Sequence, residues 1–544
     1  LGRKKVIVTK IPYEWRQKFL GGRGISAYLL FSNLPIRSDP LGPDSIIIIS
    51  TGLIAGAGSG PFACTGITAK SPLTGLSVFS PLTGHFAREM QSAGFDHLVI
   101  TGKATTPIYL YIHDEIIEFK TAENLKGKTI SETFAGIRKD LMDENVRALM
   151  IGPAGENRVF FADVCADCGQ RTGRTGMGAV LGAKNLKAMA CRGTMDLFVK
   201  RPAAFLTYQK EIFDRLSYAT SLPRTPITSK NNELTIQEIT TNGYKRTDWS
   251  YEMALRHLIA ESGLDLFSTR CMIEWTLRLF QKGIITQKDI RGIRLSRNNI
   301  ASCIELVNRI VANKGIGTTL SMGPLRATKR LRRESLSCFP SVIEFIQIHT
   351  EAMANPLTPV QRDIYFPKVP ENAHVKPYPI KTTGTCAADR SKNDSIGRRP
   401  IGTVPGWEVG EMVANCLGLS GFHILEEISG IPLFAVYEKL LDLIAGLGMK
   451  ENDLYEIAER CYAVERLLNL RESQIDRLSS SKTDTLDVPV GLRMTKSSWN
   501  ELQLKTFQLQ VSRYYRQRGL DRKSMMKLKV FKNFGIDDLW AFVK

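Results

Sequence analysis

Apolar residues come in short runs along the first 200 positions and in helical spacing thereafter. Residues 5–10 (KVIVTK) read as a strand, and residues 15–20 and 25–31 as helices separated by Gly21-Gly22-Arg23-Gly24. Four isoleucines at 46–49, ending on Ser50, predict a short buried strand. A glycine-rich segment from Gly52 to Gly60 follows, then a turn at residues 70–75 (KSPLTG) and short strands with glycine punctuation over 76–84. Phe86, Met90 and Ala93 share one helical face. Residues 97–100 and 108–112 read as strands, with 116–120 completing a hairpin. An amphipathic helix over 129–142 leads into a buried strand at 146–151. Beyond Pro202 the spacing becomes helical, at 205–216, at 271–282 with Gly283 as the cap, and at 300–313. The expectation is an α+β chain: a β-rich region at 1–200 and two mostly helical regions at 201–400 and 401–544.

The chemistry concentrates in residues 151–193, whose centre is Gly173-Arg174-Thr175-Gly176-Met177-Gly178, followed by Gly182 and Lys184. Clustered glycines cost backbone entropy, which a chain accepts where φ is positive or another group approaches the main chain closely. Successive free N–H groups can cradle an oxyanion, and Arg171, Arg174 and Lys184 would add charge-assisted donors for phosphate oxygens. A glycine-rich turn between a strand and a helix accounts for the same pattern. A dinucleotide fingerprint is a poor match, because the spacing from Gly178 to Gly182 is too long and the strand-like VFFADV ends about ten residues upstream.

Composition narrows the function classes. The chain has 544 residues, is 43% apolar and carries a net charge of +19, which suits a nucleic acid, an anionic substrate or an acidic protein partner. The densest basic run, residues 326–333, has no interleaved aromatics and no nucleic-acid motif, so it reads as a solvated helix face. No apolar run is long enough to span a membrane. Ten cysteines without framework spacing suggest a reducing, cytoplasmic setting. Cys165 and Cys168 form a single C-x-x-C pair, where a zinc or iron–sulfur site usually takes two.

Six motifs in order carry a resemblance: FLGGRG, DPLGP, KSPLTG, AGFDHLVITGKATTPIYLYI, IGPAGENRVFFA and GRTGMGAVLGAKNLKA. Together they resemble the first domain of the aldehyde:ferredoxin oxidoreductase family. The resemblance implies a β-rich base holding tungsten, or molybdenum, on two pyranopterins with a magnesium bridge, and a [4Fe–4S] cluster alongside. It implies that Arg171, Gly173 and Arg174 hold pterin phosphates, and that Leu264 and Asp265, in a GLD element, contact one pterin edge. The family's small polar and glycine turn becomes Pro81-Leu82-Thr83-Gly84 in this chain, which keeps only Gly84 and leaves Thr83 and Gly84 as the candidates there. Asn415 and Leu419, in ANCLGLSGF, fall where the family lines the other pterin, with Asn415 in place of an acid. The implied reaction takes an aldehyde and water to a carboxylate and passes electrons to ferredoxin or an iron–sulfur subunit, in a homo- or hetero-oligomer without nucleic acid.

The departures fall on the redox centre. The family's three clustered cysteine ligands have no counterpart over residues 200–260, and the fourth aligns with Ser420. Cys64 stands where the family has an arginine, and Ala260 where it has a further acid. His349, His374 and His423 are the isolated histidines to weigh near a metal. A tungsten subunit of a larger assembly, such as an aromatic acyl-CoA reductase, and a cofactor-free structural paralogue are the competing readings.

Overall fold

The computed structural model describes residues 1–58, 63–167, 169–221, 249–296, 299–331, 404–419, 432–473, 532–536 and 539. Its N-terminal part is rich in sheet and the rest is helical. Two helices, α1 (Tyr13–Phe19) and α2 (Gly22–Asn33), precede β1 (Ile47–Thr51), β2 (Cys64–Lys70), β3 (Ser77–Thr83), α3 (Phe86–Ser92) and β4 (His97–Ile100). These strands form an antiparallel sheet of order β3-β2-β1-β4. A second sheet, β6-β5-β9-β7-β8, joins the hairpin β5 (Ile108–His113) and β6 (Ile116–Thr121) to β7 (Arg147–Met150), β8 (Cys165–Ala166) and β9 (Leu186–Arg192). Helix α4 (Ile130–Leu141) begins on a capping box of Thr129 and Glu132 and covers one face of that sheet. Short helices α5 (Pro153–Glu156) and α6 (Met177–Ala183) pack against each other beside it.

The isoleucine run forms the strand its composition predicts, and the reason is visible in the packing. Ile47 and Ile49 face one core, shared with the second sheet, while Ile46 and Ile48 face another. Both faces of β1 are therefore covered, as continuous apolar strands require. The first core extends into α7 (Pro202–Ser221) no further; it is closed instead by α8 (Trp249–Glu261), α9 (Leu266–Gln281), α10 (Gln287–Ile290), α11 (Ile300–Ala312), α12 (Gly317–Leu320) and α13 (Pro324–Arg330). The second core packs α1 and α2 against α7, α14 (Val404–Leu417), α15 (Leu433–Leu440), a π turn at Leu441–Ala445 and α16 (Glu451–Ser473).

Residues 5–10 depart from expectation. They form no strand, and Ile7 and Val8 are 74% and 69% exposed. Alternation alone does not supply a pairing partner. The basic run begins on α13, where Arg326 stacks on Phe160 at 4.6 Å. No helix among the described residues is long and apolar enough to cross a membrane. His349, His374, His423, Cys168 and Ser420 lie outside the described residues.

Candidate cofactor cradle

Two groups of candidate residues meet β3, one at its middle, Ser80, and one at its last residue, Thr83. The first is the loop 171–176 with the 263–265 element. An isolated antiparallel bridge pairs Ala162 with Leu264, with Asp163 N–H donating to Gly263 O and Asp265 N–H to Phe161 O. Leu264 is fully buried. Side chains alternate across such a pairing, so Asp163 and Asp265 share the face opposite Leu264. Asp265 then caps α9, its Oδ2 accepting Ser268 N–H at 2.7 Å.

Gly173 adopts φ 55° and Arg174 φ 44°. A Cβ on Gly173 would meet nothing nearer than Asp265 Oδ1 at 3.9 Å, so its backbone faces open space. Arg174 lies over the Phe267 ring at 5.3 Å. Arg171 Nη1 donates to Cys165 Sγ at 3.0 Å and to Ala260 O at 2.9 Å, which ties the loop to the end of α8. Thr172 Oγ1 accepts from Val164 N–H and donates to Asp163 Oδ1 at 3.1 Å. Burial, reinforced by the Asp265 carboxylate, pushes the Asp163 carboxyl well above the usual range.

The other clustered donors and glycines have structural work. Lys184, expected at a phosphate, is buried and donates to Ser45 O at 2.5 Å and Gly102 O at 3.2 Å; burial pulls its ammonium down to about 8. A Cβ on Gly182 would lie 1.8 Å from Gly155 O. That glycine permits a backbone contact inside the protein and does not face a ligand. Cys165 is a buried thiol pushed up to about 12 by desolvation, so it is not poised to ligate or react.

The second group forms where α14 ends. Leu53 and Ile54 N–H groups donate to Cys416 O and Leu417 O, and Cys64 N–H donates to Gly418 O at 3.1 Å. These amides satisfy the helix's terminal carbonyls and clamp it to the exit of β1. Asn415 and Leu419 are thereby buried beside the start of β2. Thr83 pairs with Cys64 across the sheet, and Gly84 N–H donates to Ala63 O. Half-buried Glu411, one turn before Asn415, is pushed up to about 7 by desolvation, an effect moderated by Arg23. Cys64 is a buried thiol, also raised to about 12.

The strand β3 joins the two groups. Ser80 Oγ donates to Thr172 O at 2.7 Å, and Thr83 lies beside the other group. Three strand residues separate these points, about 10 Å. Ser71 Oγ fixes the loop from below by donating to Thr175 O at 2.9 Å. Sequence thus singled out the candidates of both groups, but not Asp163, the one acid in an apolar string.

Several buried polar atoms here lack a protein partner: Asp163 Oδ2, Thr175 Oγ1 and Ser268 Oγ in the first group, and Asn415 Nδ2 in the second. Buried polar groups are normally hydrogen-bonded, so donors and acceptors left over in both groups fit a two-lobed polar cofactor. Among the described residues, no group of three or more His, Cys, Asp or Glu could hold a metal ion. The Asp265→Ala variant should lose its helix cap, at about 1 kcal/mol, and far more of any pterin bound. A urea midpoint together with pterin fluorescence after oxidative release checks both parts.

The chain matches two descriptions in order: aldehyde ferredoxin oxidoreductase, N-terminal domain, over residues 1–193, and domains 2 and 3 over residues 239–536. It is 25% identical to the tungsten-containing aldehyde ferredoxin oxidoreductase of Pyrococcus furiosus, covering 98% of this chain and 97% of that protein. It is 26% identical to the aliphatic sulfonate oxidoreductase, WOR-like subunit, of the same organism, over 61% of this chain and 66% of that protein. Its fold is similar to a chain of the active site complex BamBC of benzoyl coenzyme A reductase, with TM-score 0.73, 20% identity, and 98% and 95% of the two chains covered. The sheet-rich base and the helical remainder are both accounted for by these matches, and the chain belongs to the aldehyde ferredoxin oxidoreductase family.

Proposed function

We propose that this chain is a tungstopterin oxidoreductase subunit that converts an aldehyde and water to a carboxylate. The observation that carries the reading is the Gly173–Arg174 loop, whose positive-φ backbone faces open space beside Asp265 and beside the unpartnered Asp163 Oδ2, Thr175 Oγ1 and Ser268 Oγ. The first lobe would be held by Gly173 and Arg174, with Arg171 fixing the loop and Asp265 accepting from the ring edge through its free Oδ1. The second would rest against Asn415 and Leu419, with Thr83 and Gly84 beneath. Tungsten or molybdenum on two pyranopterins, bridged by magnesium, would supply the two-electron and oxygen-transfer chemistry. Leu264 and Leu419, both fully buried, keep water from the cradle's flanks. Glu411, with its carboxyl near 7, can hold or release a proton beside Asn415 at neutral pH. Asn415 both donates and accepts, without the charge of the acid it replaces.

A second reading is favoured by the lack of a cluster ligand set among the described residues. In it, the chain is the tungsten subunit of a larger redox complex and relies on a separate iron–sulfur partner, with ferredoxin or that partner receiving the electrons. The likeness to a chain of the benzoyl coenzyme A reductase complex and to a subunit of the sulfonate enzyme is consistent with this. Cytoplasmic placement and oligomeric assembly belong to the same proposal.

Elemental analysis of the purified chain, paired with aldehyde-dependent reduction of a viologen dye, tests both. About one tungsten per chain with dye reduction supports the first reading. Tungsten without iron, and turnover only after an iron–sulfur protein is added, supports the second. Absence of tungsten and molybdenum from protein made in a tungsten-replete host overturns both and leaves a scaffold.

A further inference from the structure

Asp163 has no role in the cradle described so far. It is 1% exposed, and its two oxygens have different surroundings. Oδ1 accepts from Thr172 Oγ1, and the Gly173 amide acts on the same carboxyl. Oδ2 has no partner. The basic group that acts on the carboxyl is Arg171, whose charge favours the ionised form but whose Nη1 is bonded to Cys165 Sγ and Ala260 O. A second acid, Asp265, stands on the same face of the short pairing. Of the two, Asp265 is the better holder of negative charge. It sits at the N-terminus of a 16-residue helix with a backbone N–H on its Oδ2.

We infer that Asp163 is a neutral carboxylic acid that donates a hydrogen bond from Oδ2 to an acceptor atom of the heterocycle held by the Gly173 loop. Asp265, which already accepts a backbone N–H as a helix cap, accepts from a ring N–H of the same edge. A 2-aminopyrimidin-4-one edge presents two adjacent donors flanked by acceptors, so one carboxylate for a donor and one neutral acid for an acceptor serve both kinds of position, where two carboxylates serve donors only. Asp163 is then a specificity residue for the cofactor, reading its acceptor position. This rests on the pterin reading above. The direction of the carboxyl's shift agrees with it: burial and the Asp265 charge, which favour the protonated form, outweigh Arg171, Thr172 and the Gly173 amide, which favour the ionised one.

The test compares the wild-type full chain with Asp163→Asn and Asp163→Val. Infrared difference spectra at neutral pH should show a protonated-carboxyl band in the wild type that both variants lack. Pterin content should stay within about twofold in Asp163→Asn, which keeps one donor, and fall about tenfold or more in Asp163→Val. The raised folded-state pKa fixes the sign of the pH effect. Above the unfolded Asp range the wild type retains a proton that the unfolded chain has lost, so its stability declines as pH rises, and Asp163→Asn should lose that decline. A pterin-loaded wild type without the acid band, or Asp163→Val with full pterin, overturns the inference alone. A wild type with the acid band but no pterin overturns the pterin reading and, with it, the ligand assigned to Asp163.

Discussion

Glu472→Ala should destabilise the fold by about 3–5 kcal/mol, the usual cost of stripping one partner from a buried ion pair. The Glu472 side chain is fully buried and receives Lys70 Nζ at 2.6 Å and Arg471 Nε at 3.0 Å. Lys70 also donates to Ser38 O, and Arg471 to Phe31 O and Leu34 O. Removing the carboxylate leaves two buried cations held in place by carbonyls, with no anion between them. Shape is not the cause, so Glu472→Gln should recover only a small part of the loss. The urea midpoint of the full chain reports both. Lys70 ends β2, immediately before the turn whose Ser71 braces Thr175, so pterin content should drop together with stability.

Gly182→Ala is the second large effect, about 3 kcal/mol or more. The added methyl would lie 1.8 Å from Gly155 O and 2.6 Å from Gly155 C, backbone atoms that no rotamer change can move. The α5–α6 crossing would have to open, and the loop that precedes α6 would open with it. Gly173→Ala makes the informative comparison. Its φ of 55° is unfavourable for alanine, but the nearest atom is 3.9 Å away, so the cost should stay at about 1–2 kcal/mol. Soluble yield and urea midpoints of the two variants rank them directly.

That contrast also shows what the sequence could and could not disclose. The run at 46–49 was legible because both faces of β1 are apolar, which is itself a statement about its surroundings. Helix α4 was legible from its capping box and spacing. By contrast, β2 (CTGITAK) shows no alternation, since it is buried on both faces with small residues. Residues 5–10 alternate well but find no strand partner, because pairing is decided elsewhere in the chain. In the glycine loop, sequence spacing could not separate Gly173, open to a ligand, from Gly182, pressed against another backbone. Lys184 looked like a phosphate donor only because it followed the loop; its carbonyl partners, Ser45 and Gly102, are remote in sequence. Asp163 was overlooked for the same reason. The acid that gives it meaning is Asp265, 102 positions later.

Helices far apart in sequence, α2 and α16, meet in the base. Arg23 binds Glu465 through two nitrogens at 2.7 and 2.8 Å, and Arg471 reaches the carbonyls that end α2. These contacts bridge more than 430 residues, so a ribosome must deliver nearly the whole chain before the second core can close. During that interval α2 and the outer face of β1 lack the cover that α14 and α16 supply in the folded protein. The same delay leaves the cradle half-built on its Asn415 side until α14 arrives. On the proposed reading, a nascent chain halted before α14 should carry no pterin.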